Sequence, residues 1–359
     1  MSKLLKIGII GTGGIGCSKH IAALKQVKGV EIVALCDIVV EKAHKAAVSY
    51  DLPQAKVYAD YRELLANPDI DVVHVCTPND LHSEITIAAL EAGKHVNCEK
   101  PMAKTASEAA LMLKAAKKTG KKLTIGYQSR FRSDSQFLYK ACRNGDLGEI
   151  YYAKAHALRR RAVPTWGVFL DEEKQGGGPL IDIGTHALDL TLWMMDNYSP
   201  KVVLGSSFRK LADRENAANE WGPWDPKKFT VEDSAFGFIT MENGATVSLE
   251  SSWAINMLDV TEGKCTLCGT EGGADMKNGL RFNGEKFGTL WETSVSSGGS
   301  GVAFYEGKKV DPTVEEMVAW VNAINTDTDV IVKPEQAYVV TQILDAIYES
   351  ARSGKAVYF

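Results

Sequence analysis

Apolar residues recur along this chain with two different periods, and the change between them falls near Gly126. Before it, short unbroken apolar runs (Ile7 to Ile10, Ile32 to Cys36, Val72 to Cys76, His95 to Cys98, Leu123 to Tyr127) alternate with segments of helical spacing such as Ile15, Ile21 and Leu24. Unbroken runs bounded by glycine are the pattern of strands buried on both faces, and their alternation with helices predicts a doubly wound parallel sheet. Val40 to Tyr50 and His82 to about Ala92 read as two of those helices. Thr105 with Glu108 three residues on forms a capping box, and Gly120 closes the helix that it opens.

Past Gly126 the period drops to two. One helix near Ser135 to Arg143 precedes alternating runs at Ile150 to Leu158, Val202 to Phe208, Ser234 to Met241 and Thr246 to Trp253. Strands that follow one another without intervening helices predict a predominantly antiparallel sheet, an α+β region after an α/β one. Glu242-Asn243-Gly244-Ala245 marks a hairpin, and Asn283-Gly284 suggests another. A small-residue loop covers Ser294 to Gly301, and two helices, Thr313 to Asn325 and Glu335 to about Arg352, close the chain, with Pro334 before the second. The expected organisation is a doubly wound domain over 1–125 and a second domain over 126–359, the last helices packing back on the first.

Composition narrows the classes. A chain of 359 residues, 45% hydrophobic and 24% charged, fits a soluble protein of two domains. The net charge of −4 and the brevity of Arg159-Arg160-Arg161 argue against a nucleic-acid partner. No apolar run has signal-peptide or membrane-spanning length. Seven scattered cysteines fit a reducing cytoplasm, and Cys265-Thr-Leu-Cys268, lacking a second pair, reads as an inert strand segment, so no metal is expected.

Candidate chemistry begins at Lys6 to Asp37. Gly11, Gly13 and Gly16 stand in G-x-G-x-x-G register, with Thr12, Gly14 and Ile15 between them, directly after a strand and opening a helix. Gly11 permits the sharp turn, Gly13 permits backbone to approach a pyrophosphate, and Gly16 permits close helix–strand packing. The helix N-terminus offers unpaired N–H groups to that anion. Asp37, about 20 residues on, stands where an acid accepts bonds from an adenosine ribose. Its charge would repel a 2′-phosphate, and no Arg or Lys follows directly, so NAD is expected over NADP. The alternative is a tight turn that binds nothing.

Lys100 ends a strand directly before Pro101, which restricts the lysine backbone and permits a cis bond. It reads either as a proton-transfer lysine in a ligand crevice or as a solvated lysine paired with a nearby acid. In Gly176-Gly177-Gly178-Pro179-Leu180-Ile181-Asp182-Ile183-Gly184-Thr185-His186, Asp182 and His186 are i,i+4 neighbours on one helix. The pair reads either as an oriented general base or as a structural contact, and the glycines would let the helix start close to another element such as a nicotinamide.

Together, Gly11-Gly13-Gly16, the Thr77-Pro78-Asn79-Asp80-Leu81-His82 turn, Glu99-Lys100-Pro101 and Asp182-x-x-x-His186 resemble the glucose–fructose oxidoreductase/inositol dehydrogenase (Gfo/Idh/MocA) family over essentially the whole chain. The resemblance implies an N-terminal Rossmann domain and a C-terminal open sheet that mediates homodimers or homotetramers. It implies reversible NAD-dependent oxidation of a sugar or polyol hydroxyl. His186 would take the hydroxyl proton, Lys100 would bond the reacting oxygen, and Asp182 would bond substrate and bias the pair. Thr77, Pro78, Asn79, His82 and Glu99 match cofactor-lining positions. Tyr127, Arg130, Phe131, Arg159, Arg160 and Trp166 are of types that suit a polyhydroxylated ring, and equally the cofactor or the carboxylate of a uronate. Two other outcomes on this fold are an NAD-assisted glycosidase with no net redox change and a non-enzymatic NAD-linked regulator.

Overall fold

The computed structural model describes residues 3–295 and 311–359. These form two compact units, one from 3–128 with 311–338, the other from 129–295 with 339–359. Among the described residues, no helix is long and apolar enough to cross a membrane.

The first unit is a parallel sheet of β1 (Leu5–Ile10), β2 (Val30–Cys36), β3 (Lys56–Tyr58), β4 (Val72–Val75), β5 (His95–Cys98) and β6 (Leu123–Ile125). Their order, β3-β2-β1-β4-β5-β6, is the Rossmann order, and it reverses direction between β1 and β4. Buried Ile7, Ile9, Leu35 and Val72 pack with Val314, Met317 and Trp320 of the helix Pro312–Asn325, so residues from the far end of the sequence complete this core. The helix Ala106–Thr119 carries the expected capping box at Thr105 and ends at Gly120.

The second unit holds β7 (Ile150–Leu158), β8 (Pro200–Phe208), β9 (Ser234–Met241), β10 (Thr246–Ser252), β11 (Glu262–Gly269), β12 (Gly273–Asp275), β13 (Leu280–Lys286), β14 (Thr289–Val295) and β15 (Val357–Tyr358). They form one mixed, largely antiparallel sheet in the order β14-β13-β12-β11-β7-β10-β9-β8-β15, with β7 and β10 its parallel pair. Small Ala153, Ala155 and Ala157 on β7 face inward beneath the helix Thr185–Met195. Gly205 and Gly237, paired across β8 and β9, face Ile347, which would stand less than 3 Å from a methyl group added at either. The opposite face stays open, with Leu204 and Phe238 each 52% exposed.

One turn departs from expectation. The hairpin at Gly244 joins β9 to β10 as read, but Asn283-Gly284 lies inside β13. The turn to β14 is Phe287-Gly288, both at positive φ (55° and 73°). Gly284 is small because the Trp291 indole lies over it on the partner strand, where an added methyl would meet ring atoms at 3.1–3.2 Å. Steric room for a cross-strand indole, rather than turn geometry, fixes that glycine. The loop from Ser294 to Gly301 lies, past residue 295, outside the described residues.

Candidate functional site

At the reversal point of the first sheet, Gly11 leaves β1 with φ 94°, and a methyl there would strike the Cys76 carbonyl at 2.5 Å. A methyl at Gly16 would strike the Gly11 carbonyl at 2.0 Å, so helix and strand meet backbone to backbone. Gly13 and Gly14 are exposed, and added methyls would meet nothing within 4 Å. Packing inside the protein therefore explains Gly11 and Gly16 but leaves Gly13 and Gly14 as bare backbone facing open space. Beside them, the Thr77 Oγ1 is buried without a protein hydrogen-bond partner. Bare backbone and a buried hydroxyl at the strand ends form a cradle that fits a dinucleotide phosphate. Ile15 is 47% exposed on the same loop.

Asp37, half-buried at the end of β2, is pinned from both sides. One oxygen accepts from the Thr12 N–H (3.0 Å) and hydroxyl (3.1 Å), the other from the Val39 N–H (2.9 Å). His82 is buried, with one ring nitrogen 2.8 Å from the Pro101 carbonyl and the other 3.0 Å from the Thr77 carbonyl. It thereby ties the turn after β4, containing exposed Pro78 and partly buried Asn79, to the turn after β5. Burial lowers its pKa, so the neutral ring donates to one carbonyl at a time. The Lys100–Pro101 bond is cis, and Lys100 is partly exposed.

Glu99 does not present itself openly. It is 5% exposed and accepts from Lys19 Nζ (2.6 Å), from the Lys100 N–H (3.1 Å) and across 2.9 Å from His20 Nε2. Lys19 also bonds Gln128 (3.0 Å) and lies 3.2 Å from Glu316. Burial alone would raise the Glu99 carboxyl, but the Lys19 ammonium and His20 outweigh it and hold it well below the usual range. His20 passes the chain on to His74 (2.8 Å), whose pKa burial lowers. Lys19 and Glu316 carry no local signal, because their partners lie 80 or more residues away along the chain.

In the second unit, the wide π-helical turn Leu180–Gly184 runs into the regular helix Thr185–Met195. From Leu180 to Met194 every residue is buried except Asp182 and His186, so the one partly open patch of this segment is made by its candidate acid and base. Asp182 accepts from the Trp253 indole N–H at 3.1 Å. The glycines upstream approach the protein itself: a methyl at Gly177 would meet the Tyr348 hydroxyl at 2.0 Å, and one at Gly178 the Glu232 carbonyl at 2.2 Å. The close approach expected of these glycines is thus made to the protein's own Tyr348 and Glu232. The Glu232 carboxylate accepts from the Gly178 N–H (2.8 Å), the Leu180 N–H (3.1 Å) and the Tyr348 hydroxyl (2.9 Å), fixing the start of the turn. Burial raises its pKa to about 7 against those three bonds.

Of the other candidates, Arg130 is fully buried in a two-point ion pair with Asp189 (2.6 and 2.9 Å) and lies 5.3 Å from the Trp193 ring. It serves the core, which corrects its expected contact with substrate. Tyr127 is fully buried as well. Arg160 and Trp166 are exposed, the latter by 51%. Arg159 grips Glu262 at 2.5 and 2.6 Å. The seven cysteines are free, Cys265 lies on β11, and no cluster of metal-ligating residues occurs among the described residues.

Residues 5–127 match the model of an oxidoreductase family with an NAD-binding Rossmann fold, and residues 140–359 match that family's C-terminal alpha/beta domain. D-glucoside 3-dehydrogenase of Escherichia coli (strain K12) is 37% identical over 359 residues, spanning 99% of this chain and 98% of that protein. Inositol 2-dehydrogenase of Salmonella paratyphi B is 33% identical over 194 residues, 54% of this chain and 55% of that protein. A crystal structure of aldose-aldose oxidoreductase from Caulobacter crescentus, complexed with glycerol, superposes with a TM-score of 0.80 at 25% identity, covering 99% of this chain and 100% of that one.

Proposed function

Since this chain belongs to the Gfo/Idh/MocA oxidoreductase family, we propose that it is an NAD-dependent dehydrogenase oxidising a secondary hydroxyl of a sugar, with the 3-hydroxyl of a D-glucoside the first candidate. The isolated exposure of Asp182 and His186 in an otherwise buried helix carries this reading, and the whole-length likeness to a glucoside dehydrogenase supports the substrate class.

Bare backbone at Gly13 and Gly14 would hold the pyrophosphate, with Thr12, Ile15, Thr77, Pro78 and Asn79 around it. Asp37 would accept from the adenosine ribose and repel a 2′-phosphate, favouring NAD. When bound, the nicotinamide supplies the hydride acceptor. His186 takes the hydroxyl proton, and the Asp182 charge steadies the imidazolium that results. Lys100 donates to the same oxygen and stabilises negative charge as it develops there. The reading requires that Lys100 and His186 act on one substrate. Two copies of the chain associate through the open sheet face around Leu204 and Phe238.

NADH absorbance with NAD and a panel of D-glucosides, aldoses, uronates and inositols tests the reading. NADH should form with one class, and Lys100→Ala and His186→Ala should each cut kcat/KM by about 100-fold or more while NAD binding persists. A flat trace across the panel with NAD bound, or sugar released without NADH, would overturn it.

A further inference from the structure

Two loops of the second unit present tryptophans to solvent, and both loops are locked. Trp166 is 51% and Trp221 39% exposed, their rings edge to face at 4.9 Å. The Asn219 amide acts as a strand partner would: it accepts from the Val163 N–H (2.8 Å) and donates to the Val163 carbonyl (3.0 Å) and the Gly222 carbonyl (2.8 Å). The Thr165 hydroxyl donates to the Trp221 carbonyl at 2.9 Å. Behind the pair, the Arg159 guanidinium lies 5.4 Å from the Trp221 ring while Glu262 grips it.

From the pair, an aromatic path leads inward. Phe169 lies 5.9 Å from Trp166, and fully buried Trp253 lies 6.4 Å from Phe169. Trp253 is the residue that donates to Asp182. A cavity of about 450 Å³ opens beside Trp166, lined also by Thr165, Asp171, Lys228 and Thr230.

Hydroxyls at Asp182 and His186 need polar partners, not indoles farther along the path. The rigid Trp166 indole, bordering a cavity whose walls carry both apolar and polar groups and backed by Trp221, suits the C–H face of a further ring, whose own hydroxyls would find Asp171 and Lys228. We propose that Trp166 and Trp221 form an aglycone subsite, so that the substrate is a glycoside whose second ring seats on the indole pair. This rests on the reading of Asp182 and His186 as the reacting site.

The experiment compares kcat/KM for methyl D-glucosides with that for glucosides carrying a second pyranose or phenyl ring. The wild-type protein should favour the second ring, and Trp166→Ala and Trp221→Ala should each reduce that preference about tenfold, mostly through KM. Trp166→Phe should restore part of it. A preference left unchanged in both variants, whatever their absolute rates, would overturn the subsite. If the wild-type protein oxidises no glucoside, the proposed reaction fails, and tryptophan fluorescence titrated with phenyl D-glucoside judges the subsite alone. Saturable quenching that both alanine variants lose would support it, and no quenching in the wild-type protein would overturn it.

Discussion

Each unit holds one glutamate that fixes the start of a candidate functional segment, and the two are held by opposite means. Glu99, at the end of β5, stands against the ammonium of Lys19 and is kept ionised. Glu232 anchors the Gly178 and Leu180 amides with no cation among those bonds, and burial lifts it to about 7. Strong geometry does not therefore imply a fixed charge. Glu232, which meets only neutral dipoles, stays close to losing its charge, whereas Glu99, which meets Lys19 and His20, does not.

Removing the cation should break this contrast most severely. Lys19→Met leaves buried Glu99 and Glu316 with His20 as their remaining basic neighbour and should cost about 3–5 kcal/mol near neutral pH. The sign with pH should also change. Wild-type Glu99, with its lowered pKa, contributes stability that is present above the ordinary carboxylate range and is lost as pH falls. In the variant, acid should restore stability by neutralising the pair. Urea midpoints at about pH 3.5, 5 and 8 check both, and an unchanged slope would mean that Lys19 does not set the charge of Glu99.

Glu232→Gln should sharpen the other side. A raised carboxyl pKa contributes stability that is full below its unfolded value and is lost as pH rises through about 7. That contribution amounts to up to about 3 kcal/mol between those limits. The variant should lack this decline, which thermal melts across the same pH range would measure. Tyr348→Phe should have the smallest effect, about 1 kcal/mol for one lost hydrogen bond, with the fall in stability displaced to higher pH.

The sequence made most of the architecture legible, because strand and helix periods are local. The glycine loop, the capping box and the hairpin at Gly244 each depend on a few adjacent residues. The misplaced turn at Asn283-Gly284 shows the limit, since that glycine answers to Trp291 on the neighbouring strand. The electrostatic partners were hidden for the same reason. Lys19, Glu99 and Glu316 come from three distant stretches, and Glu232 and Tyr348 from two. Gly177 and Gly178 were visible as a signal, but what crowds them is known only once the chain is folded. Arg130 looked like a ligand residue because arginine type says nothing about burial against Asp189.

The wide turns Gly16–Ile21 and Leu180–Gly184 bear on how such a chain can change from one descendant to the next. A π turn is a helix holding one residue beyond the regular count, so a residue gained or lost there is absorbed locally. Elsewhere the same event would rotate everything beyond it by about 100° and carry a buried face into water. The segment around Asp182 can therefore gain or lose a residue while the nine buried residues of Thr185–Met195 keep their phase.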